Sequence, residues 1–327
     1  MNTRTVSTHH AATPPQRTNR TRNAAAILIV TLLLPLFVAP PIAGLVDRPV
    51  ASVVTRMLMI GSIISLIVFI GPQMFGGVKS WWRQDAKRSL RSFLTSYVVT
   101  LFLCSAFVTI MLWAGHMILR RDDPGPIAAK FLSYAMSGLC VGLIEEWVFR
   151  GLMWRRLSAR IGLIWGAISV SAIYSWVHFL RPPKVPSVDP TMADVVAVYQ
   201  TILQKLVGPI VTPTLQAWSQ FVGLFLFGVL LIVLVQRSGR LAAAIGVHAA
   251  VVFFLKGDGK IIHYRHRDYD WILGSRHYYD GVIAWGVLLL IIVWLWKPWR
   301  AKPAPQTTPS ETGTAALQPV PVNDEAS

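Results

Sequence analysis

At eight places this chain runs apolar over a length that suits a bilayer, and those runs decide its class before any single residue is considered. The first begins at Ala24, and the others lie near residues 51–71, 92–119, 127–154, 161–180, 216–236, 241–256 and 281–296. About 20 residues of helix span the ~30 Å hydrocarbon core, and only a helix or a closed barrel satisfies its own backbone there. With 54% hydrophobic and 14% charged residues among 327, and a mean hydropathy of +0.51, an ordinary soluble domain is excluded. The pattern predicts an all-α, polytopic transmembrane helical bundle of about eight spans.

The net charge of +16 belongs to topology. A nucleic-acid binder gathers its base on one face, whereas here Lys and Arg punctuate the apolar blocks, so no nucleic acid is expected as a partner. With an internal N-terminus, the inner segments (1–23, 72–91, 150–160, 237–240, 297–327) hold 18 Lys and Arg and the outer loops 10. The positive-inside rule then puts both termini in the cytoplasm, and the expected location is the plasma membrane of a bacterium. Residues 1–23 read as a basic, disordered tail before a retained first span, in which Pro35, Pro40 and Pro41 would kink or end the helix. Residues 24–300 form the membrane-embedded domain, and 301–327, rich in Pro, Thr and Ala, read as a second disordered tail. In 191–212 an apolar stripe of Val195, Val196, Val198, Ile202, Leu203, Leu206 and Val207 alternates with Asp194, Gln200, Gln204 and Lys205, which predicts an interfacial helix. Cys104 and Cys140 both sit inside apolar blocks and read as packing residues.

Charge inside the fourth block is the chemical signal. Glu145 and Glu146 stand in Leu-Ile-Glu-Glu-Trp-Val-Phe-Arg, residues 143–150, where an ionised side chain costs a few kcal/mol or more and usually faces a protein interior or a wet cavity. Successive helical residues are about 100° apart and i, i+4 neighbours share a face, so Glu146 can pair with Arg150 while Glu145 points elsewhere as the candidate base. If the fourth helix runs to about Ser158 and the fifth begins near Leu163, Glu145 is 13 residues before the turn and His178 is 15 after it. Antiparallel packing then sets them at one depth. His248 lies in Gly-Val-His-Ala-Ala, residues 246–250, whose small residues admit a close neighbouring helix. His263, His266 and His277 occupy the loop 257–280, with a spacing that matches no metal site.

Glu145-Glu146-x-x-x-Arg150, then Tyr174-x-x-x-His178, then His248, resembles the CPBP family of intramembrane endopeptidases, which includes CAAX prenyl proteases and bacteriocin-processing, Abi-like proteins. The resemblance covers roughly 127–256. Two positions depart from it: Tyr174 stands where the family usually has Phe, adding a hydroxyl within i, i+4 reach of His178, and Val252 stands where it often has Asn or Asp. The missing donor leaves its task to His248, a backbone amide or Lys256.

The resemblance implies an endopeptidase acting on a membrane-associated peptide or protein within the lipid bilayer. In that reading Glu145 and His178 activate a water, His248 donates to the oxyanion, and Glu146, Arg150 and Tyr174 support them. No cofactor is favoured. Glu145, His178 and His248 are also a His2Glu set of the catalytic-zinc kind, so zinc is the alternative. Two readings from other classes remain beside the enzyme: a catalytically silent membrane scaffold, and a proton-coupled transporter in which the same acids and histidines relay protons.

Overall fold

The computed structural model describes residues 15–70, 86–119, 127–180, 189–211, 214–264, 270–275 and 278–296. The loop histidines His266 and His277, residues 1–14 and the expected C-terminal tail at 301–327 lie outside them. The protein is an all-α bundle with one short ribbon. Helices α1 (Pro15–Leu45), α2 (Val50–Ile70) and α3 (Ala86–Trp113) come first. Helix α4 (Ile127–Glu146) continues as a π-helical segment, Trp147–Trp154, into α5 (Arg155–Ile161). Then come α6 (Leu163–Val177), a 3-10 turn at His178–Leu180, α7 (Met192–Val211), α8 (Leu215–Ser238), α9 (Leu241–Ile261), the short α10 (Asp270–Leu273) and α11 (Val282–Leu295).

Five helical stretches are long and apolar enough to cross a membrane: Thr21–Leu45, Ala86–Trp113, Lys130–Ile161, Leu215–Ser238 and Leu241–Ile261. The three other expected spans are apolar helices too, at Val50–Ser65, Leu163–Val177 and Val282–Leu295. Large apolar side chains such as Phe37, Phe102, Leu290 and Val293 are exposed along these helices, as an acyl-chain solvent requires and water would penalise.

Three local expectations are revised. The first helix begins at Pro15, inside the stretch 1–23 read as a disordered tail, and passes through Pro35, Pro40 and Pro41 without ending. The third expected span, 92–119, is helical only to Trp113; Met117–Leu119 (β1) pairs antiparallel with Ile262–Tyr264 (β2), so the loop 257–280 begins as helix and strand. The interfacial segment is α7, whose Val195 and Val198 are buried against Ala39, Ala43, Val50 and Val54 of the α1–α2 hairpin, while Leu203, Ile210 and Val211 stay exposed.

The centre of the bundle is α8 and α9, each with over half of its apolar window buried. Helix α9 approaches α4 closely because α4 carries glycines four apart. A methyl group on Gly138 would stand 2.6 Å from the Ala249 carbonyl oxygen, and one on Gly142 would stand 3.1 Å from the Ala249 nitrogen. Small residues at a helix crossing allow backbones to approach to this degree. On its other side, a methyl on Gly246 would stand 2.4 Å from the Phe93 carbonyl oxygen of α3. The turn between α5 and α6 falls where the residue count placed it, at Gly162, whose φ of 82° suits a residue without a Cβ.

Candidate functional site

The two acids leave the end of α4 in different directions, as a 100° step requires. Glu146 and Arg150 are fully buried, and Arg150 Nη1 donates to Glu146 Oε1 at 2.8 Å. The guanidinium is fixed twice more: Nη2 donates to the Gly228 carbonyl of α8 at 3.2 Å, and Cζ lies 4.4 Å from the centre of the Tyr174 ring, a cation–π contact. The chain widens into its π segment immediately after the acids, at Trp147. Such widened turns are frequent at functional sites.

Glu145 and His178 do meet at one depth, with His178 Nε2 3.7 Å from Glu145 Oε2. His178 is the residue at which α6 tightens into the 3-10 turn, and its Nδ1 lies 2.8 Å from the Tyr174 carbonyl oxygen. A carbonyl only accepts, so Nδ1 carries the proton and Nε2 presents its lone pair to Glu145 in the neutral ring. Tyr174 therefore serves His178 through its backbone rather than through the hydroxyl expected from the sequence, and its ring packs 4.5 Å from the His178 ring, centre to centre.

His248 joins the same group from α9. Its Nε2 is 3.7 Å from Glu145 Oε2, and its Nδ1 is 2.7 Å from Glu146 Oε1. Glu146 is thus more than the partner of Arg150: a single carboxylate oxygen receives both the arginine and the histidine. An ionised carboxylate only accepts, which puts the proton of neutral His248 on Nδ1 and leaves Nε2 as an acceptor. The edge of the His248 ring is held between Tyr174 and Phe227 at T-shaped centre distances of 6.1 and 5.8 Å.

Three acceptors consequently face one point: Glu145 Oε2 and the Nε2 atoms of His178 and His248. Glu145 Oε2 is buried without a hydrogen-bond partner among the described residues, although the side chain as a whole is 29% exposed. A water set there can donate both its protons, one to the carboxylate and one to an imidazole, and turn a lone pair outward. Charge counting agrees with such a role. Two carboxylates face one arginine, so a single proton taken up from the water by a histidine makes the group neutral, the form a poorly solvated site favours.

Among the described residues no group of three or more His, Cys, Asp or Glu side chains is arranged to hold a metal ion. Glu145, His178 and His248 as they stand do not fit a zinc ion, and no step below is routed through one. Val252 lies one helical turn beyond His248, and Lys256, two turns beyond it, is hydrogen-bonded to Ser137 of α4. Lys256 is therefore engaged elsewhere. Sequence spacing found the Glu145, His178 and His248 grouping and the Glu146–Arg150 pair; it missed the bond between Glu146 and His248, because the two are 102 positions apart.

Residues 127–254 match the family described as Rce1-like, the type II CAAX prenyl endopeptidase Rce1-like proteins. This agrees with the resemblance to CPBP peptidases, and the matched stretch runs from the start of α4 to the third turn beyond Gly246, so it holds every residue of the group around Glu145. No curated protein and no solved structure matches the chain.

Proposed function

We propose, on the premise that residues 127–254 form an Rce1-like domain, that this protein hydrolyses a peptide bond of a membrane-associated peptide or protein, with Glu145 as the base. The observation that carries the reading is the approach of both imidazole Nε2 atoms to one oxygen of Glu145 at 3.7 Å. The water held between them loses its proton toward Glu145 and His178 as its oxygen attacks the scissile carbonyl. The proton then passes to the leaving amine, which restores the carboxylate and the neutral ring. His248 stabilises the oxyanion in its doubly protonated form, because its neutral Nε2 has no proton to donate; Glu146 is placed to balance that imidazolium, and Arg150 and Tyr174 hold Glu146 and both rings in place. The family resemblance makes a prenylated C-terminal peptide the first substrate to try.

The test is cleavage of membrane-anchored peptides, prenylated and unprenylated, by the protein reconstituted in vesicles, with new termini read by mass spectrometry. Cleavage by the wild type and none by E145Q supports the reading. Intact peptides with both proteins would reject it and favour the silent scaffold, for which Val252 is the best sequence argument.

A further inference from the structure

The catalytic group as described lacks a neutral hydrogen-bond donor for the oxyanion, since both Nε2 atoms are acceptors until a proton arrives and position 252 is a valine. Outside the matched stretch 127–254, one phenol is carried to the level of the site. The register between α6 and α8 sets that level. A methyl on Gly228 would stand 3.2 Å from Ser171 Oγ, and one turn along α6 Ser175 Oγ donates to the Phe221 carbonyl at 2.7 Å. Gly223 therefore lies level with Tyr174 and Ser175, one turn before His178.

Tyr279 occupies the space that Gly223 leaves. A methyl there would stand 1.8 Å from the Tyr279 carbonyl oxygen and 3.1 Å from its ring, so only glycine admits this segment. The segment is anchored further by Trp285 Nε1, which donates to the Tyr279 carbonyl at 3.1 Å, and by Ser219 Oγ, which bonds the Asp280 carbonyl. The Tyr279 ring packs on the cluster that contains Tyr174, Leu224 and Phe227, and its phenol lies within electrostatic reach of the Tyr174 phenol. Phe227, one turn from Gly223, is the residue that flanks His248. Tyr279 is partly buried, so its packed ring leaves part of the side chain open.

We propose that the phenol of Tyr279 is a substrate-contacting residue that donates a hydrogen bond to the scissile carbonyl oxygen, the task for which position 252 has no donor. This rests on the hydrolytic reading above. A phenol donates without carrying charge and changes no bond in the substrate; it strengthens its hold as negative charge grows on the oxygen, so it acts on kcat more than on KM.

The experiment compares wild type, E145Q, Y279F and the Y279F/V252N double variant in vesicles, on a membrane-anchored reporter peptide that the wild type cleaves. Y279F keeps the ring against Gly223 and removes only the donor, and its melting temperature reports whether the fold is kept. Loss of one oxyanion donor lowers kcat on the order of 100-fold, which is the expected result, with KM little altered. Restoring an amide donor at 252 in the same background is expected to recover at least tenfold of that loss, a rescue that a merely structural role for Tyr279 would not give. An inactive E145Q beside a Y279F of unaltered kcat overturns the role of Tyr279 alone. Cleavage by E145Q at the wild-type rate overturns the hydrolytic reading beneath it.

Discussion

His248 Nδ1 lies 2.7 Å from Glu146 Oε1, a hydrogen bond that ties α9 to α4 across 102 positions and settles which nitrogen of His248 faces Glu145. The neighbouring acids thereby divide their work. Glu146, wholly enclosed, orients an arginine and a histidine; Glu145, partly open, faces the point where a water would react.

That division predicts opposite costs for the same conservative change. Glu145→Gln removes the base and leaves the packed groups alone, so turnover is expected to vanish while the melting temperature holds. Glu146→Gln leaves Arg150 a buried cation without its counter-charge, which costs about 3–5 kcal/mol of stability, and lets the His248 ring choose the other tautomer. Thermal melting and peptide cleavage on both variants check this. Equal stability and equal activity in the two would reject the assignment.

Tyr174 offers a milder test. The Tyr174 carbonyl fixes His178, and its ring lies 4.4 Å from the Arg150 guanidinium carbon. Both survive in Tyr174→Phe, which is expected to keep turnover near wild type and to shift stability by less than about 1.5 kcal/mol, as volume-conserving core changes do. Tyr174→Leu loses the cation–π contact and the edge-on packing against His248, and should lower kcat. A collapse of activity in the phenylalanine variant, measured as kcat/KM, would give the hydroxyl a part in the reaction.

The crossing of α4 and α9 sets the distance between the acids and His248, so it can be used to move them apart. A methyl on Gly138 would stand 2.6 Å from the Ala249 carbonyl oxygen, an atom of the backbone that cannot turn aside. Gly138→Ala is expected to displace α9, lower the melting temperature and cut cleavage in parallel. Gly208, around which a methyl would meet nothing within 4 Å, is the control: Gly208→Ala should leave both unchanged.

Much of this was legible in the chain. The apolar runs and their charges gave the helices, and counting residues from the turn at Gly162 brought Glu145 and His178 to one depth, because rise per residue is nearly constant in a helix. What sequence could not supply were contacts made by rotation and approach. The glycines 138 and 142 reveal their purpose only with Ala249 against them, the π segment after Glu146 has no composition of its own, and Tyr279 reaches the site from a segment whose neighbours in sequence are a charged loop. The helix at Pro15–Arg22 was misjudged for a related reason: its polar, basic residues resemble a solvated tail, yet they continue the helix begun by the apolar residues after Ala24.

Metal dependence separates the preferred chemistry from its alternative. A His2Glu zinc site needs an open ligand sphere around three side chains held about 2.0–2.2 Å from the ion, and no group of described residues is so arranged. The arrangement instead suits a water that donates to Glu145 and to one imidazole, with His248 engaged from behind by Glu146. Chelation of the purified, peptidase-active protein is therefore expected to leave turnover intact, and elemental analysis to find zinc well below one per chain. Substitutions should also fall unequally: Glu145→Gln and His178→Ala remove parts of the water-activating pair and are expected to be more damaging than His248→Ala, which weakens only the hold on the oxyanion. In a zinc site all three would lower bound metal together. Stoichiometric zinc whose removal stops cleavage and whose return restores it would overturn the water-activating assignment and make the same three residues ligands.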